Sequence, residues 1–212
     1  MSDFDAQRAQ MVEHQLRERG IEDERVLAAM GEVPREEFVG GRRRDMAYAD
    51  AALPIGSEQT ISQPWIVAAI LQALELKGAE QVLEIGTGSG YSTCLLGRLS
   101  EHVVSVERHA GLARLAAEHL RACRAQNVEL MVGDGSRGVP ARAPFDAIAV
   151  HAAAPKPPPA LLEQLADGGR MVVPVADGSE EMLTVLRRRG SEFETVALAP
   201  CRFVPLIGAE GF

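Results

Sequence analysis

The chain has 212 residues, with 22 Lys+Arg against 30 Asp+Glu, a formal net charge of −8, and 46% hydrophobic against 25% charged residues. Such a composition gives one globular domain with material for a full core, and excludes a disordered chain or one that needs metal or disulfide staples. The negative charge argues against a general nucleic-acid or anionic-membrane binder, since neither polyanion is attracted to it.

Residues 1 to about 50 read as helix. Met11, Val12, Leu16 and Arg19 recur at helical spacing, and Gly20 is placed to stop that helix. Asp23 caps a second helix through Val26, Leu27 and Met30, which ends before Pro34. A long connection, 48–64, then leads into a helix carrying Ile66, Val67, Ile70, Leu71 and Leu74. From about residue 81, short Val/Ile-rich strands at 81–85, 103–107, 128–132, 145–150 and 171–175 alternate with helices at 92–99, 110–123 and 159–166. That alternation predicts a parallel sheet with helices on both faces. Segments 182–188 and 193–199 are separated only by a turn at Gly190 and read as a C-terminal antiparallel hairpin. The expectation is an α/β fold: a doubly wound, Rossmann-like, mostly parallel seven-stranded sheet. A helical N-terminal extension (1–80) packs on a core (81–212), and together they make a single domain.

Cys94, Cys123 and Cys201 are far apart and lack any C-x-x-C spacing, so neither a disulfide framework nor a zinc site is indicated, and no metal is expected. Met1–Asp5 is acidic without an apolar core, and no apolar run of about 18 residues occurs. The expectation is a reduced, cytoplasmic protein without a membrane partner. His14, His102, His109 and His119 read as solvated surface, and the runs 42–44 and 187–189 of arginine as solvated faces, with no nucleic-acid motif.

The most informative stretch is Val82–Leu–Glu–Ile–Gly–Thr–Gly–Ser–Gly90, which runs from a buried strand into a helix. Gly86, Gly88 and Gly90 let the chain turn tightly and let a ligand approach the backbone around Thr87 and Ser89. Glu107 closes the next strand, where a carboxylate can accept two hydrogen bonds from a ribose diol. The third glycine of a dinucleotide fingerprint would fall at Tyr91. Glu84, just before the loop, would repel a pyrophosphate but attract a cationic amino-acid end and a sulfonium. Those are the features of S-adenosylmethionine. Asp134, between Gly133 and Gly135, could accept from the adenine amino group; taken alone it reads better as a turn residue. Ser62, two residues before Pro64, reads from the residues alone as a helix N-cap.

The glycine loop with Glu84, then Glu107–Arg108 and Gly133–Asp134–Gly135, resembles class I S-adenosylmethionine-dependent methyltransferases. Leu53–Pro–Ile–Gly followed by Gln59–Thr–Ile–Ser–Gln–Pro64 is similar to the far more specific signature of protein-L-isoaspartate O-methyltransferases. Segments 19–30, 33–39, 144–148, 164–169 and 203–206 resemble the same family, so the similarity spans essentially the whole chain. There are departures from the family pattern: Glu58 stands where a glycine is usual, His151 where a small or polar residue is, and the sequence stops at Phe212 where an aromatic, often Trp, is typical. The resemblance implies methyl transfer to the free α-carboxylate of L-isoaspartyl residues in damaged proteins and peptides, with S-adenosylhomocysteine as product. It places Ser62 on the substrate carboxylate as the catalytic residue, with Ile55, Gln63 and Val204 as further substrate contacts. Thr60 and Ile61 would close over the cofactor, beside residues 86–90, Glu84, Glu107, Arg108 and 133–135. It leaves room for a methyltransferase acting on a small-molecule acceptor. Intact acids and Tyr91 count against a nicotinamide enzyme or a non-catalytic module. The protein is expected to act as a monomer.

Overall fold

The structure, a computed structural model, describes residues 3–177 and 180–212, apart from the side chains of Arg42 and Asp177. The chain begins with α1 (Asp3–Gln10), which continues through a wider turn at Met11–Leu16 and a tighter one at Arg17–Arg19, and stops at Gly20 in the left-handed conformation. Asp23 caps α2 (Glu24–Glu32), accepting from the backbone N–H groups of Arg25 and Val26, and the helix ends at Val33. Segment 48–64 is not one loop, as the sequence suggested. It contains a two-stranded hairpin, β1 (Leu53–Gly56) and β2 (Gln59–Ile61). Its two-residue turn puts Ser57 and Glu58 at φ 50 and 58, the left-handed geometry that hairpin twist demands. A non-glycine residue there costs about 1–2 kcal/mol, which is why a glycine is the easier choice at 58.

The rest is α3 (Pro64–Leu74), β3 (Gln81–Ile85), α4 (Tyr91–Leu99), β4 (His102–Glu107), α5 (Ala110–Ala122), β5 (Val128–Val132), β6 (Phe145–Val150), α6 (Pro159–Glu163), β7 (Leu165–Asp177), β8 (Glu180–Arg189) and β9 (Glu192–Pro200). The seven-stranded sheet has the order β5-β4-β3-β6-β7-β8-β9. The first five strands are parallel; β8 runs antiparallel to β7, and β9 to β8. Helix α6 is shorter than the sequence suggested and β7 longer. Gln164 ends the helix, its side-chain amide donating to the carbonyls of Arg137 and Ala160 and its carbonyl accepting from the N–H of Val139.

Alternation along the strands sends side chains to two separate apolar clusters, one on each face. Val82, Val103, Ala147 and Val172 meet Ile70, Leu71 and Leu95 on one face, together with Met11, Leu16, Leu27 and Met30 from the N-terminal segment. Leu83, Val104, Ile148 and Val173 meet Leu161 and Leu206 on the other. Each fully buried Val, Leu or Ile contributes about 1.5–3 kcal/mol. Residues 1–80 thus share a core with the sheet.

One expectation fails. A disulfide joins Cys94 on α4 to Cys123 at the end of α5. Nothing in their spacing announces it; the side-by-side packing of α4 and α5 brings them together. Cys201 is free and half-buried, and burial, with Glu181 nearby, pushes its thiol up to about 11. Among the described residues no helix is long and apolar enough to cross a membrane, and no cluster of His, Cys, Asp or Glu could hold a metal ion.

Candidate active site

The order in which strands are added reverses between β3 and β6, which run parallel: from β3 the sheet grows toward β4 and β5 on one side, and toward β6 and β7 on the other. Open α/β sheets bind ligands at this point, outside the C-terminal strand ends. A cavity of about 340 Å³ lies there. Its floor is the glycine loop with Ile85, one wall is Val106–His109, and a second is His151, Ala152 and Phe203–Ile207. The hairpin turn and β2, Ser57–Ser62, close over it.

The loop is shaped by two close approaches. Gly86 (φ 94) lies against His151, whose Cβ would come within 3.3 Å of any Cβ placed there, and Gly88 (φ 57) lies equally close to the Ile55 side chain. Glu107 is 4% exposed. Its carboxylate accepts from the backbone N–H of Gly88 at 2.8 Å and of His109 at 2.8 Å, so the strand end and the loop are tied together. Each oxygen keeps a lone pair for a ligand hydroxyl.

Many of the residues singled out in the sequence meet at this cavity: Thr60, Ile61, Ser62, Gly86, Thr87, Gly88, Ser89, Glu107, Arg108, Gly135 and Val204 line it. Others stand behind it. Glu84 is fully buried, accepting at one oxygen from Thr93 Oγ1 (2.5 Å) and Ser105 Oγ (2.6 Å). Gly90 starts α4 and packs on Ala116. The Gly133 N–H donates to the carbonyl of Glu107. Asp134 accepts from the N–H and Oγ of Ser136 and from the N–H of Ala209, so its carboxylate pins the C-terminal segment. Despite partial desolvation, those hydrogen bonds hold it below the usual carboxylate range. Ile55 supports Gly88, and Gln63 donates outward to Asp50. Gln63, not Ser62, occupies the N-cap position of α3, which removes the plain capping account of Ser62.

Several contributors read differently in the structure. His109 and His119, expected on the solvated surface, belong to the site: His109 lines the cavity, and His119 Nδ1 lies 2.8 Å from the Ser89 carbonyl with its ring edge-on to Phe38; His151, noted in the sequence only as a departure from the family pattern, also lines the cavity. Arg35 is completely buried. It donates from Nε to the Ala47 carbonyl (2.7 Å) and from Nη2 to the Ser62 carbonyl (2.7 Å), and its guanidinium lies 5.0 Å from the Tyr91 ring centre. Burial pushes the Tyr91 phenol up to about 12. By contrast, Arg44 pairs with Glu37, Arg187 with Glu75 and Arg189 with Glu194, as expected of surface arginines. The side chain of Arg42 lies outside the described residues.

The family model described as Protein-L-isoaspartate(D-aspartate) O-methyltransferase matches residues 6–211. A protein-L-isoaspartate O-methyltransferase of Koribacter versatilis is 51% identical over 212 residues, covering 100% of this chain and 96% of its own. One from Rhodopseudomonas palustris (strain HaA2) is 52% identical over 211 residues, covering 99% and 86%. A solved protein-L-isoaspartate O-methyltransferase superimposes with a TM-score of 0.86 at 28% identity, over 96% of this chain and 67% of the other. A Plasmodium falciparum structure in complex with S-adenosyl-L-homocysteine shares the fold, with a TM-score of 0.83 at 24% identity over 94% of this chain and 98% of the other. Matched almost from end to end by the family model, and half-identical to relatives of nearly its own length, the chain belongs to the protein-L-isoaspartate(D-aspartate) O-methyltransferase family.

Proposed function

We infer that the protein transfers the methyl group of S-adenosylmethionine to the free α-carboxylate of L-isoaspartyl residues, the first step in repairing damaged proteins and peptides. The observation that carries this reading is the pairing, across one cavity, of the Glu107-tied glycine loop with Ser62 on the closing hairpin. The wall chemistry suits the cofactor. Glu107 offers acceptors to a ribose, Ile61 and Leu206 offer apolar surface to a base, and bare glycine backbone lets a nucleoside lie close. When bound, S-adenosylmethionine supplies an electrophilic methyl group on a sulfonium.

The residues around it orient and exclude; they need not move a proton. An α-carboxylate is ionised at pH 7, so no general base is required. Ser62 lines the cavity on the hairpin side, and its hydroxyl hydrogen-bonds the substrate carboxylate in line with the methyl donor. Thr60 and Ile61 close over the cofactor, which keeps water out of a site where anion and cation neutralise each other as the methyl moves. Val204 and Phe203 form the opposite rim for the peptide chain. The methyl ester then cyclises to a succinimide in the substrate, and hydrolysis returns part of it as normal aspartate.

Labelled methyl transfer to an isoaspartyl peptide and to its normal-aspartyl twin tests the reaction. Labelling of the first alone is expected; equal labelling, or none, overturns it. Ser62→Ala is expected to lower turnover about 10- to 100-fold, the worth of one hydrogen bond to a charged group, while cofactor affinity in calorimetry stays at the wild-type value. Unchanged turnover would remove Ser62 from the reaction.

A further inference from the structure

Glu84 is the acid that the sequence placed against the cationic end of the cofactor, yet it has no exposed surface and does not reach the cavity. One of its oxygens is satisfied by Thr93 and Ser105; the other, Oε1, has no hydrogen-bond partner among the described residues. The side chain that separates Glu84 from the cavity is His151. It follows β6 directly, its backbone N–H donates to the Ile85 carbonyl at 2.8 Å, and its ring lines the cavity beside Gly86. His151 Nε2 is likewise buried without a hydrogen-bond partner among the described residues, and it lies 3.2 Å from Glu84 Oε1.

A buried donor and a buried acceptor that close, each lacking any other partner, satisfy one another once the ring turns into line, and leaving both unmade is costly. In the tautomer that gives Nε2–H to the carboxylate, the imidazole keeps its lone pair on Nδ1. Among the described residues Nδ1 has no protein partner. An acceptor at the edge of the cavity, backed by a fully buried carboxylate in a region of low dielectric, matches an ammonium group. We propose that His151, held by Glu84, contacts the α-ammonium of the cofactor's amino-acid end, so that the charge of Glu84 reaches the ligand through the imidazole.

The proposal rests on the cofactor reading above, and two probes separate their failures. S-adenosylhomocysteine carries the amino-acid end; 5′-methylthioadenosine has the same nucleoside and thioether without it. Titration calorimetry of the full chain is expected to show His151→Phe weakening S-adenosylhomocysteine tenfold or more, with 5′-methylthioadenosine within twofold of wild type. Glu84→Gln keeps the shape of the buried site and, by offering an N–H to Nε2, moves the ring proton to Nδ1, where it opposes an ammonium. It is expected to weaken S-adenosylhomocysteine several-fold, again sparing the truncated probe. This second variant decides the matter if the first does not fold. Equal losses for both probes, or wild-type affinity for S-adenosylhomocysteine in Glu84→Gln, overturn the proposal. A wild-type protein that binds neither probe overturns the cofactor reading itself.

Discussion

Glu107→Ala is expected to weaken S-adenosylhomocysteine binding about 100-fold or more, as read by titration calorimetry. Two effects add. A carboxylate that accepts from both hydroxyls of a ribose makes charge-assisted hydrogen bonds, each worth about 1.5–3 kcal/mol, and about 1.4 kcal/mol is a tenfold change in affinity. The same carboxylate also accepts from the Gly88 and His109 N–H groups at 2.8 Å, so its loss unties the glycine loop from the end of β4 before any ligand arrives. Glu107→Gln separates the two. The amide can still accept at one oxygen but presents an N–H₂ where the protein or the ribose offers another donor, so an affinity between those of Ala and wild type is expected. Wild-type affinity in the alanine variant would remove Glu107 from the ribose site.

The parts of this site that could be read from the sequence are those where one local rule decides. Strands β3, β5 and β6 fall where the sequence places them, because each is a short Val/Ile-rich run bounded by Gly, Pro or polar turns. The glycine loop is legible because strand, glycines and helix follow one another without a gap. Glu84 shows where such rules stop. A strand-end rule says which edge of the sheet a residue is near; the face is set by period two, which puts Glu84 beside Val82, beneath α4 and Thr93. Asp134 is similar: it sits at the right edge, but one oxygen is claimed locally by Ser136, in keeping with its reading as a turn residue, and the other by Ala209, 75 residues away. The Cys94–Cys123 disulfide and the hairpin turn at Ser57–Glu58 depend on helix packing and on positive φ at non-glycine residues, and neither leaves a mark in composition or spacing.

Arg35→Met is expected to lower both stability and peptide turnover, with the largest effect on stability of any single change considered. The Arg35 guanidinium has no exposed surface, and desolvation pushes its pKa down, but arginine stays charged at any ordinary pH. Its two donated hydrogen bonds fix the Ala47 and Ser62 carbonyls, which bracket the segment that holds the β1–β2 hairpin. Methionine fills the space and donates nothing. Each buried carbonyl left unsatisfied costs about 1–3 kcal/mol, so a loss of about 2–6 kcal/mol is expected from a total of about 5–15 kcal/mol. At about 2–4 °C per kcal/mol for a chain of this length, that is a fall in Tm of roughly 4–24 °C, measured by calorimetry. Because the freed segment carries Ser62 and not the glycine loop, kcat/KM for the isoaspartyl peptide should fall further than affinity for S-adenosylhomocysteine. Arg35→Lys, with a single nitrogen able to reach only one of the two carbonyls, should recover part of the stability. Equal losses in peptide turnover and in cofactor affinity would mean that Arg35 supports the fold as a whole, and that Ser62 is positioned by something else.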